Sequence, residues 1–289
     1  MKIFTFRSLL TAVLRAVPLI ALLLIALPVL AATLPAPSPA CDVDSGYRQM
    51  YNLDFSGAHH TFLQCEQERP RDPFPHVSNA AAYLFSEFDR LHIFEVELFT
   101  DDSRFDAREK LKADPAVRDA FLAELAQVET LTQPILAANP NDRDALLALV
   151  LANGLRSDYA AMIEKRNLAS LGYMKTSRKL AQRLLVLDPT CYDAYLAVGI
   201  ENYLLGATPA PVRWFLRLGG AETDMRVGVE RLKLTAAHGR YLGPFARLLL
   251  AVAALRDHDR TTARTLLAEL SREFPSNQLY GRELARIPQ

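Results

Sequence analysis

Three cysteines, six histidines and a scatter of acids are the side chains in this 289-residue chain with the means to do chemistry, and their spacing decides which chemistry is open to them. His59 and His60 are adjacent. On a helix, neighbours point about 100° apart, so the two do not share a metal ion. His92 has Asp89 three before it and Glu95 three after, which places ligands on one helix face, but no second cluster at metal spacing completes the set. The chain carries no G-x-S-x-G elbow, no H-E-x-x-H and no Gly-rich phosphate loop behind a strand. Gly219-Gly220 reads as a turn. Glu222 and Asp224 stand at a helix start, where acids complement the macrodipole, with Glu230 further along its face. The expectation is no catalytic set, no metal centre and no cofactor.

The cysteines offer a different chemistry. Cys41 precedes the first helix of a hairpin and Cys65 lies near the end of the second, so the two ends are neighbours. Oxidation would close a loop of about 25 residues and contribute roughly 3 kcal/mol. The alternative is that Cys65 is a small buried side chain and Cys41 a free thiol in a frayed tether. Cys191, at a helix start, reads as structural.

All of these residues ride on helices. One pattern recurs: a small residue, an apolar one four on, another three further, then Pro five later. It appears as Ala58/Phe62/Cys65/Pro70, Ser177/Ala181/Leu184/Pro189 and Ala263/Leu267/Leu270/Pro275, and more weakly as Val128/Thr132/Ile135/Pro140. The offsets put three side chains on one face, and the Pro then stops the helix. Twelve residues ahead of two copies stand Gly46 and Ala251. Gly199, flanked by Tyr195 and Tyr203, fills the same place elsewhere. Such small residues let paired helices approach closely. Between the copies, residues 78–99 carry Ala81, Leu84, Phe85, Phe88 and Leu91 at helical spacing. Asp114-Pro115 is an N-cap followed by a first-turn Pro, ahead of the stripe Val117, Phe121, Leu125, Val128 and Ile135. Residues 142–165 and 167–186 form a longer pair. No run alternates like a strand.

This arrangement resembles the tetratricopeptide repeat superfamily, whose second helix carries the same small and apolar positions and closing Pro. The resemblance implies an all-α, irregular solenoid of helical hairpins, a superhelix spanning residues 43–289. The copies depart from it by not following one another at the usual period of about 34 residues. Over residues 190–280 the chain is also similar to a narrower TPR-like family that includes secreted bacterial proteins of unknown function and fungal inclusion-body-clearance proteins. Gly199, Tyr203, Gly206, Pro209, Gly219-Gly220, Gly228, Leu232, Gly239, Tyr241 and Phe274-Pro275-x-Asn277 carry that likeness. It implies no active site.

An insert at 206–220 interrupts the repeats. Trp214, Phe215 and Leu218 fall on one face of a short helix there, with Arg213 and Arg217 on another. It reads as a plug for the groove or as a finger toward a partner or membrane surface.

Half of the residues are apolar, enough to bury a sizeable core, and 33 basic against 33 acidic side chains leave no broad basic footprint for nucleic acid. Residues 1–31 read as a signal peptide: Lys2, Arg7 and Arg15, then an uncharged run, then Val29-Leu30-Ala31 at a cleavage site. An uncleaved N-terminal anchor is the alternative. Cleavage removes three bases and no acid, leaving the remainder at −3. Residues 32–42 form a Pro-rich tether. The expected location is periplasmic or secreted, with membrane contact limited to an uncleaved signal or the insert.

In a TPR superhelix the first helices line the concave face. Residues one and four after the small reference positions are Tyr47 and Met50, Ile200 and Tyr203, Val252 and Leu255, with Leu196 and Leu248 three before. That groove is apolar and aromatic. The expected function is a non-enzymatic adaptor binding a protein partner. Two alternatives stand beside it: a carrier of a lipid or other apolar ligand in a groove closed by the insert, and an enzyme whose residues converge from distant helices.

Overall fold

In the computed structural model, which describes residues 41–95, 110–207 and 222–288, the described residues form eleven α-helices and no strand. They are α1 (Val43–Tyr51), α2 (Phe55–Glu68), α3 (Pro73–Arg90), α4 (Pro115–Ala138), α5 (Arg143–Met162), α6 (Asn167–Leu187), α7 (Tyr195–Gly206), α8 (Met225–His238), α9 (Gly243–Arg256), α10 (Arg260–Glu273) and α11 (Gln278–Arg286), with a 3-10 turn at Tyr192–Ala194. The expectations for the signal peptide and tether fall on residues 1–40, outside the described residues apart from the tether's last two positions. Trp214, Phe215 and most of the insert lie outside them too. No described helix is long and apolar enough to cross a membrane.

The helix boundaries follow from local chemistry. Eight of the eleven helices start behind Asp42, Asp54, Asp72, Asp114, Asp142, Asp224, Asp259 or Asn277, and each of these side chains accepts a first-turn backbone N–H. A cap of this kind contributes about 1 kcal/mol. The four motif prolines, Pro70, Pro140, Pro189 and Pro275, each stand two residues beyond a helix end. Helix α3 starts earlier than its apolar periodicity predicts, because Asp72 caps it through Phe74 N–H at 2.9 Å and Pro73 occupies the first turn. It also ends earlier, at Arg90, where His92 turns left-handed at φ 55°. Leu53 (φ 63°) and His258 (φ 61°) occupy the corresponding turns after α1 and α9. Three hairpin-forming helices thus close with the same backbone device.

Consecutive helices pack as antiparallel hairpins, and the small residues sit where rods touch. Ala58, Ala181, Ala251 and Ala263 are fully buried. A side chain on Gly46 would overlap the Phe62 ring. Gly199 faces Gly228 and Leu232 of α8, so close that a Cβ on Gly228 would lie 2.6 Å from the Tyr203 nitrogen. Cys41 and Cys65 form a disulfide that ties the start of α1 to α2.

The succession bends until its two ends meet. Asn277 Nδ2 donates to the Tyr51 carbonyl at 2.9 Å, and Tyr51 Oη donates to the Tyr241 carbonyl at 2.9 Å. Arg240 grips Asp44 with two bonds of 2.9 and 2.6 Å. Ring contacts Tyr47–Tyr241, Tyr51–Phe274 and Phe85–Phe245 seal the junction at centroid distances of 4.9, 5.4 and 5.4 Å. The concave side of the hairpin series therefore becomes the wall of an interior space.

Candidate ligand-binding cavity

That interior space has two adjoining lobes, of about 80 and about 370 Å³. The larger lies among α3, α5, α6, α7 and α9, and the smaller reaches toward α1. Ser157, Asp158, Met174, Ile200 and Phe245 border both. The larger lobe is in the size range of small-molecule sites. It extends to exposed Asn167 and Leu204 at its margin.

The sequence-derived groove residues collect here. Tyr47, Met50, Leu196 and Ile200 line the smaller lobe, and Ile200, Tyr203, Leu248 and Val252 the larger. Leu255 does not join them; it packs half-buried against the core. Tyr47 and Met50 are only 3% and 1% exposed, and the Tyr241 ring, from the turn between α8 and α9, lies against Tyr47. The concave face is therefore covered at α1.

Asp158 is the residue the sequence reading missed. It sits on the inner stripe of α5, in line with Leu147, Leu151, Leu155 and Met162, where helical spacing calls for an apolar side chain. That interruption of the stripe is the signal that would have found it. The side chain is half-buried, and the surface it retains faces the lobes. It makes no hydrogen bond or ion pair to any described residue. Burial alone pushes its carboxyl up from 3.8 to about 7.

Its polar neighbours are already satisfied. Ser157 Oγ bonds to the Ser170 carbonyl and hydroxyl at 3.1 and 2.9 Å, and Ser177 Oγ donates to the Val150 carbonyl at 2.8 Å. Asp193, on the 3-10 turn, accepts from the backbone N–H groups of Arg240, Tyr241 and Leu242 at 3.1, 3.2 and 2.9 Å. Burial raises its carboxyl, and those three donors partly offset the shift.

A second polar cluster joins α2, α3 and α4. Glu66, His76 and Glu124 bring two oxygens and one nitrogen within 4.8 Å of one another, a set that could hold a cation and that comes from three separate helices. His76 Nδ1 lies 2.7 Å from Glu124, and Asn79 donates to Glu66 and Glu124 at 3.1 and 2.8 Å. Burial works against a charged His76, but its bond to Glu124 and the nearby carboxylates outweigh it and raise the ring's pKa. These groups satisfy one another as they stand.

The remaining candidates resolve individually. His59 Nδ1 is 2.6 Å from Asn79 Oδ1 and its ring rests on Tyr83, while His60 points to solvent. His92 is exposed, 3.8 Å from Glu95. Cys191 is a free thiol whose pKa burial pushes up to about 11, the wrong direction for a nucleophile. Asp224 caps α8 as its position suggests. Glu222 does more than complement a helix dipole, since it accepts from Gln182 at 2.6 Å and Asn202 at 2.8 Å beside the buried Arg178–Glu201 pair. In comparison with known proteins, no family model and no curated sequence matches this chain.

Proposed function

We propose that this protein is a non-enzymatic carrier or receptor for an apolar small molecule, acting outside the cytoplasm. The observation that carries the reading is the lobe of about 370 Å³ walled by Phe88, Phe94, Leu171, Met174, Leu248 and Val252. Burying an apolar ligand against such walls is favourable by about 25 cal/mol per Å² removed from water. The Cys41–Cys65 bond favours an oxidising compartment, in keeping with residues 1–31 as an export signal. The adaptor reading draws less support, because Tyr47 and Met50, which it would offer to a protein partner, are buried within the chain's own fold.

The test is titration with the neutral fluorescent dye N-phenyl-1-naphthylamine. Saturable binding is expected, and Val252→Trp, which fills the lobe, should abolish it while leaving the helical melt in place. Dye binding unaffected by that substitution would overturn the reading.

A further inference from the structure

Two aspartates border the smaller lobe, and they differ in a way that bears on the ligand. Asp193 has three backbone donors. Asp158 has none, although it faces both lobes from their shared wall. A carboxylate without donors inside an apolar enclosure is unfavourable for folding, and packing gives it no task on α5. Nor does the helix dipole explain it, for Asp158 lies toward the C-terminal end of α5, where cations rather than acids are favoured.

We infer that Asp158 anchors a protonated amine carried on an otherwise apolar ligand, so that the cavity selects cationic amphiphiles. This rests on the cavity being the binding site. The ammonium would supply the donors and the opposite charge that Asp158 lacks, while the apolar body occupies the larger lobe. An alkanol offers a weaker, uncharged donor. An alkanoate brings a second negative charge beside the first and is disfavoured. The other titratable groups bordering the lobes are Tyr47 and Tyr51 from α1, Asp193 from the 3-10 turn, Tyr203 from α7 and Arg256 from α9.

The experiment is displacement of N-phenyl-1-naphthylamine by decylamine, decanol and decanoate, which share a chain and differ in head group, at pH 8. Decylamine is expected to bind tightest, by roughly ten- to a hundred-fold over decanol, the worth of a charge-assisted bond. D158N should erase that preference, bringing the ratio of decylamine to decanol affinity down to about one. The wild-type protein supplies an independent arm: decylamine affinity should rise as pH increases through about 7 and then level off, and D158N should lack the step. Equal displacement by decylamine and decanol, tightest binding of decanoate, or a preference that survives D158N would each overturn the assignment. Dye binding without an amine preference leaves the carrier reading standing, whereas no dye binding to wild type removes both.

Discussion

Asp158 and Asp193 border one cavity, and only Asp193 is supplied with hydrogen-bond donors. The difference has a thermodynamic sign. The folded-state pKa of Asp158, about 7, stands above its unfolded value of 3.8. The native state therefore holds the proton more tightly, and ionising the carboxyl as pH rises from about 4 to 7 subtracts stability. Asp158→Asn should be indistinguishable from wild type in stability near pH 3.5 and more stable above pH 7, by up to about 4 kcal/mol. Urea denaturation across that range measures the difference, and a constant gap would contradict it.

Glycines at the helix contacts separate close packing from mere helix propensity. Gly228→Ala would set a methyl 2.6 Å from the Tyr203 backbone nitrogen, which cannot swing aside. Destabilisation of about 1–3 kcal/mol or more is expected from such overpacking. Gly172, in the interior of α6, has nothing within 4 Å of the same position. Gly172→Ala should stabilise by about 0.5–1 kcal/mol. The two changes should shift the thermal midpoint in opposite directions.

The disulfide closes a loop with a sequence separation of 24. Replacing both Cys41 and Cys65 by Ser should lower stability by about 3 kcal/mol. Reduction of the wild-type protein should lower its midpoint to a similar extent, and have no effect on the double variant.

The junction between the first and last of the described helices can be probed at single atoms. Tyr51→Phe removes the donor to the Tyr241 carbonyl, and about 1 kcal/mol should be lost. Asn277→Ala should lose more, about 2–3 kcal/mol, because Asn277 both donates to Tyr51 and caps α11 through Leu279 N–H. Hydrogen exchange at α1 and α11 should quicken together in both variants if the ends hold each other.

Much of this architecture is legible in residue order. The spacing Ala58/Phe62/Cys65/Pro70 reports a helix face and its stop within one short stretch, and such local rules survive folding unchanged. Gly46 against Phe62 is legible for the same reason, since the two helices are joined by a short turn. The start of α3 is less so, because Pro73 and Pro75 look like breakers until Asp72 is recognised as the cap. What sequence order hides is convergence. Glu66, His76 and Glu124 come from three helices, and Tyr51 meets Asn277 across 226 residues. No spacing rule links them. Asp158 lies between the two cases: its neighbours mark it as an intruder on an apolar stripe, but only the packed structure shows what it faces.

The meeting of Tyr51, Asn277 and Tyr241 also bears on growth. An open stack of hairpins can be lengthened by duplicating a unit, since each terminal face accepts another. Here the terminal faces are already engaged with each other. An added hairpin would have to break that handshake and widen the chamber it encloses, so the number of hairpins and the capacity of the chamber are set together.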